Sequence, residues 1–96
     1  MEVKPILNFD FDIDAHENEI SMKGYCSNVQ ILLPDFSKYK VCFYDPIRLK
    51  QDLEDENYIA EPGLIVIKDV TKDNMERAIY EAWLDGYFEQ LKAVDK

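Results

Sequence analysis

Asp45-Pro46 sets the firmest boundary in this chain. An Asp accepts hydrogen bonds from the free amides of a helix's first turn, and Pro suits the first helical position, where no amide donor is needed. A helix is therefore predicted to start here. Just before it, Tyr39, Val41 and Phe43 alternate with Lys40, Cys42 and Tyr44 in a β-rich run. Just after it, Ile47, Leu49 and Leu53 give a narrow inward stripe and predict a helix ending at Glu54 or Glu56. Glu61-Pro62-Gly63 is turn punctuation. The following Leu64-Ile65-Val66-Ile67 is short, β-branched and apolar on both phases, the pattern of a central strand covered on both faces. Strand, helix and strand have the length of a β-α-β unit, which allows a parallel pair with a right-handed crossover; antiparallel placement is the alternative.

Earlier in the chain, Leu7, Phe9, Phe11 and Ile13 alternate with Asn8, Asp10 and Asp12. That period of two predicts a half-buried strand over 7–13. Asp14-Ala-His-Glu-Asn18 reads as a turn, and Ile20 and Met22 as inward residues of an antiparallel return. The inward phase then moves from even positions to odd ones (Val29, Ile31, Leu33), which requires a bulge or a turn between Gly24 and Asn28. Pro34-Asp35-Phe36-Ser37 interrupts the pattern. Near the C-terminus, Thr71 or Asp73 can cap a helix to about Asp85, with Met75, Ala78, Ile79, Ala82 and Trp83 on one stripe and Tyr80, Leu84, Tyr87, Phe88 and Leu91 beside it. Gly86 either lies within that helix or ends it in a left-handed cap, with Tyr87–Leu91 a separate turn. The expected architecture is one α+β domain over 1–96: an antiparallel-dominated sheet of about four strands with two helices mainly on one face, in the order β-β-β-α-β-α.

Composition narrows the function. Eleven basic residues face twenty acidic ones, a net charge of −9, while 47% of the chain is apolar. The charge argues against nucleic acid and against an anionic membrane surface, and the apolar fraction supports a packed core. The opening Met-Glu-Val-Lys-Pro lacks the basic and apolar regions of a secretory signal. The longest apolar runs, Val41–Tyr44 and Leu64–Ile67, fall far short of the roughly 20 residues that span a bilayer. A cytoplasmic protein without a membrane span is the expectation. In that setting Cys26 and Cys42 read as small core hydrophobes, with a disulfide, a redox pair or a nucleophile as alternatives.

Asp10, Asp12 and Asp14 raise the possibility of a metal site, with His16 close by. On a strand, alternate residues sit about 6.8 Å apart, too far to share one ion bound at about 2.0–2.6 Å without a bend or further ligands. Read as a calcium loop from Asp10, the chain has Ala15 where glycine is required and Ser21 where the bidentate Glu belongs. The simpler reading is a solvated face relieved by Lys23 or Lys40. His16 is the sole histidine and lies among Glu17 and Glu19, a placement suited either to acid-base work or to an ordinary surface. Ser21, Ser27 and Ser37 have no nucleophile-elbow context, and no glycine-rich phosphate loop is present. No catalytic residue, metal or cofactor is therefore assigned.

The densest acidic block is Asp52, Glu54, Asp55, Glu56 and Glu61. Most of it falls at the C-terminal end of the predicted helix, where the macrodipole opposes negative charge by about 0.3–1 kcal/mol per well-placed group. Such charges are either tolerated on a solvated end or retained for an electropositive partner. Tyr58 beside this block, with Tyr44 before the helix, would supply aromatic anchors if exposed. The candidate binding residues are thus Tyr44, Asp52, Asp55, Glu56, Tyr58 and Glu61. Trp83 and its neighbours close the core or mark a homodimer surface.

The segment Tyr39–Leu53, then Glu61-Pro-Gly-Leu-Ile-Val-Ile67 and the closing helix, resembles a family of small, functionally uncharacterised bacterial proteins. More loosely, it is similar to the strand, Pro, helix, strand, helix layout of some immunity proteins that neutralise bacterial toxins. The resemblance spans about the last sixty residues and implies a small intracellular bacterial domain. Three readings follow: a non-enzymatic module or inhibitor that binds a basic protein; a small-molecule or divalent-metal site around Asp10, Asp12, Asp14 and His16; and a structural homodimer.

Overall fold

The computed structural model describes residues 4–61 and 63–90. Its elements, in chain order, are β1 (Ile6–Asn8), α1 (Ile13–Lys23), β2 (Tyr25–Leu32), β3 (Lys38–Tyr44), α2 (Pro46–Asp55), β4 (Leu64–Val66) and α3 (Lys72–Leu84), closed by a 3-10 turn at Tyr87–Gln90. The sheet runs β1-β2-β3-β4. β2 pairs antiparallel with β1 and with β3, and β4 joins β3 in parallel. Among the described residues the fold is α+β with a mixed sheet and three α-helices.

The additional helix corrects the expectation of a hairpin from Leu7 to Met22. β1 ends at Asn8, and Phe9 and Phe11 pack on the core from an irregular stretch, their rings 5.9 Å apart. Asp12 then caps α1 by accepting from Asp14 N at 3.1 Å. Ile13 and Ile20, two turns apart on one face, are its buried residues. Met22, expected to point inward, is exposed. The alternation through Ile13 therefore mimicked a longer strand: a half-buried coil followed by a helix places apolar side chains at the same spacing.

Gly24 ends α1 in the left-handed region (φ 68), donating its amide to Ile20 O at 2.9 Å. A Cβ on Gly24 would lie 2.5 Å from the Asp45 carboxylate, so any side chain there would displace that carboxylate as well as strain the backbone. The phase change falls four residues later. The β2–β3 register shifts between Cys26 and Val29, with Asn28 at φ 59, so the interruption in the strand is a bulge and Gly24 belongs to the helix before it.

Strand alternation sorts the sheet into two faces. On one, Val29, Ile31, Val41 and Phe43 pack against Ile13 and Ile20 of α1 and Met75 and Ile79 of α3. Complete burial of such side chains is worth about 1.5–3 kcal/mol each. Trp83 is half-buried against this core, and Phe88 is buried beside Tyr39 at 5.1 Å. Two helices do share a face, but they are α1 and α3. The expected stripe of α2 is not a core stripe: α2 buries no residue, and Ile47 is 70% exposed. Its Arg48 instead stands over Tyr25 on the opposite face of the sheet.

β4 is an edge strand, with Val66 exposed, and not the central strand its composition suggested. β3, α2 and β4 do form a β-α-β unit with parallel strands. Gly63 makes the join possible: at φ 81 its carbonyl accepts from Cys42 N at 3.0 Å, and a Cβ there would strike the Lys40 carbonyl oxygen. Pro62 and Leu91 lie outside the described residues. Thr71 caps α3 by accepting from Asn74 N. Gly86 lies beyond that helix, at φ 80, and the chain turns there into the 3-10 segment.

Candidate functional site

The six candidate binding residues come from three consecutive pieces of chain. Tyr44 ends β3, Asp52 and Asp55 belong to α2, and Glu56, Tyr58 and Glu61 follow the helix on the way to β4. All six line one open recess of about 680 Å³, together with Asn57, Ile59 and Ala60. The geometry follows from the β-α-β connection. Asp45 starts α2 immediately beyond Tyr44, and the return segment must pass back over the end of β3 to bring Gly63 beside Cys42.

Asp45 fixes that start by accepting from Arg48 N at 2.7 Å, while its own amide donates to Gly24 O at 2.9 Å. One residue thus joins the C-terminus of α1 to the N-terminus of α2. Arg48 strengthens the joint. Its Nε donates to Asp52 Oδ1 at 3.0 Å, its second nitrogen reaches Lys23 O at 3.3 Å, and its guanidinium lies 5.3 Å from the Tyr25 ring centroid. A cation set at the C-terminal carbonyls of α1 and over an aromatic face gains from both the helix dipole and the ring quadrupole. Tyr25 in turn packs on Tyr44 at 4.7 Å.

The two tyrosines of the recess differ. Tyr58 is 74% exposed, as an interface anchor requires; Tyr44 is only 6% exposed and forms the floor, so the exposure on which its role as an anchor depended is not met. Burial, then the proximity of Tyr25, Glu61 and Asp52, pushes the Tyr44 phenol up to about 12. Among the described residues its hydroxyl makes no hydrogen bond, although no buried side-chain polar atom is sealed from solvent without a partner. Cys42 stands next to this floor. Its thiol donates to Glu61 Oε2 at 3.1 Å, and burial, the hydrogen bond and the charge of Glu61 push it up to about 12.

Cys42 is therefore a protonated thiol at neutral pH. Cys26 is too, raised to about 11 by burial and then by Asp10; both cysteines are free. Sequence reasoning missed Cys42, Arg48 and Tyr25 as supports of the recess. The i, i+4 spacing of Arg48 and Asp52 was a usable signal, whereas nothing local links Cys42 to Glu61.

The residues of the second reading do not gather at one place. Asp12 is spent on capping α1. Asp14 pairs with Lys72 Nζ at 3.4 Å, in place of the expected Lys23 or Lys40, and Glu17 accepts from Lys72 N at 2.7 Å, satisfying a free amide at the start of α3. His16 is exposed on α1, with Nδ1 3.8 Å from Glu19 Oε2 and its ring edge-on to Phe11. Asp10 borders a different depression beside Gln30 and Lys40. Among the described residues, no group of three or more His, Cys, Asp or Glu side chains is placed to hold a metal ion, and no helix is long and apolar enough to cross a membrane.

Comparisons of the chain with protein-family models, curated proteins and solved structures give no match. The functional reading therefore rests on the chemistry of the recess.

Proposed function

We propose that the protein is a non-enzymatic binding module that docks a basic surface of a protein partner, as an inhibitor or immunity-type protein would. One observation carries this reading: Asp52, Asp55, Glu56 and Glu61 converge on one solvent-open recess with an aromatic floor and an exposed Tyr58. None of the lining residues is a cation, and Arg48 beside them is engaged with Asp52. Like charges gathered at a helix C-terminus oppose one another and the helix dipole, and an electropositive partner relieves both effects. A net charge of −9 adds long-range attraction, which acts mainly on the association rate.

The test compares capture by the wild-type chain with capture by a variant carrying Asp55→Asn and Glu56→Gln, both exposed positions, from lysate of the native host. The wild-type chain should retain a stoichiometric protein whose association slows as salt rises, and the variant should lose it. Equal capture by both chains, or an association rate indifferent to salt, refutes the reading.

A further inference from the structure

We infer that the recess receives a single arginine side chain of the partner, whose guanidinium donates to the Tyr44 hydroxyl on the floor and to the carboxylates around it; this rests on the docking reading above. The first observation is the hydroxyl itself. Tyr44 is 94% buried by its 6% exposure and lines the recess. Among the described residues its oxygen makes no hydrogen bond, and since no side-chain oxygen sealed from solvent lacks a partner, this hydroxyl is open to solvent at the recess. A polar atom that keeps its solvent access on a side chain otherwise buried is available to a guest that displaces the water.

The surrounding groups specify the guest's chemistry. Asp55 and Glu56 make no side-chain ion pair among the described residues. Glu61 holds the Cys42 thiol with Oε2 and has its second oxygen to offer. The guest is therefore a donor-rich cation. A guanidinium presents five N–H donors in a plane, enough to serve a phenol and two carboxylates together, whereas an ammonium is a compact charge with three. The chain contains its own precedent a few ångströms away: Arg48 pairs with Asp52 while covering Tyr25. A guest arginine would repeat that arrangement, its stem along the exposed ring of Tyr58.

The test uses the full chain and three peptides identical except for a central arginine, lysine or citrulline in a neutral Gly-Ser background, followed by amide chemical shifts at low salt. The arginine peptide should shift residues 44, 52 and 55–61, bind more tightly than the lysine peptide, and bind about tenfold more weakly to Tyr44→Phe, which removes only the acceptor oxygen. The citrulline peptide should not bind. Glu61→Gln, at an exposed position, provides a second variant if Tyr44→Phe does not fold, and should weaken the arginine peptide in the same way. Equal affinity for arginine and lysine, or an arginine affinity unchanged in the folded variants, overturns the inference while leaving a diffuse acidic docking surface intact. Discrimination among the peptides without salt-dependent partner capture would instead support the guanidinium site and refute the docking reading.

Discussion

Replacing Gly24 by alanine should destabilise the protein through two separable effects, and one of them is measurable as a coupling to Asp45. Gly24 sits at φ 68, where an L-residue costs about 1–2 kcal/mol relative to glycine. Its new Cβ would also fall 2.5 Å from Asp45 Oδ2 and 2.6 Å from the carboxylate carbon, distances that force the carboxylate away. That carboxylate caps α2 at 2.7 Å from Arg48 N, and losing such a cap costs about 0.5–2 kcal/mol. Gly24→Ala should therefore cost about 1.5–4 kcal/mol in all, and Asp45→Ala about 1 kcal/mol from the cap alone. In the double variant the obstacle is absent and the cap is lost only once. It should be less destabilised than the sum of the singles by about 1 kcal/mol. Urea unfolding of the four proteins, followed by circular dichroism, gives the cycle directly. Additivity to within about 0.3 kcal/mol would refute the claim that Gly24 and Asp45 share one joint between α1 and α2.

Other outcomes follow from single positions. Phe36 holds φ 71 at the tip of the β2–β3 connection while 81% of it is exposed, so Phe36→Gly should raise stability by about 1 kcal/mol, seen as a higher thermal midpoint. Met75 is fully buried between α3 and the sheet, and Met75→Ala should lower stability by about 2–5 kcal/mol in urea titration. Cys26, Cys42 and Tyr44 are raised to about 11, 12 and 12 from 9.0, 9.0 and 10.0. The unfolded chain therefore loses these protons first. Their contribution is intact below about pH 9 and declines as the pH climbs toward 12, at no more than about 1.4 kcal/mol per pH unit for each group. Unfolding midpoints between about pH 9 and pH 10.5 should fall in the wild type and fall less steeply in Cys42→Ala; identical slopes would count against a buried, Glu61-bonded thiol.

Local pattern alone placed the strand, helix and strand between Lys38 and Val66, though not the face α2 covers or the place of β4 in the sheet. Asp45-Pro46 announces α2, the alternation from Tyr39 to Phe43 announces β3, and the acidic block lands at the helix's C-terminal end. Each of these is a relation among residues a few positions apart, decided by backbone geometry and the orphan amides of one turn. Tyr44 and the acids lie before and after one helix, and the return from that helix to Gly63 beside Cys42 brings all six candidate residues to a single recess.

The folded chain alone decided the rest. Whether Phe9, Phe11 and Ile13 continue a strand depends on what covers them, because a period of two over seven residues suits a coil leading into a helix equally well. Burial of Ile13 and Ile20 beneath α3, together with the Glu17 and Asp14 contacts to Lys72 more than fifty positions away, stabilises α1 where its own short stripe would not. Strand order likewise moved Leu64–Val66 to the edge, since hydrophobicity on both phases records apolar neighbours without naming them. The thiol of Cys42 meeting Glu61 and the open hydroxyl of Tyr44 arise only when β3 and the return from α2 are brought together. Contacts between distant residues take their energy from desolvation and packing, and neither is written in the spacing of neighbours along the chain.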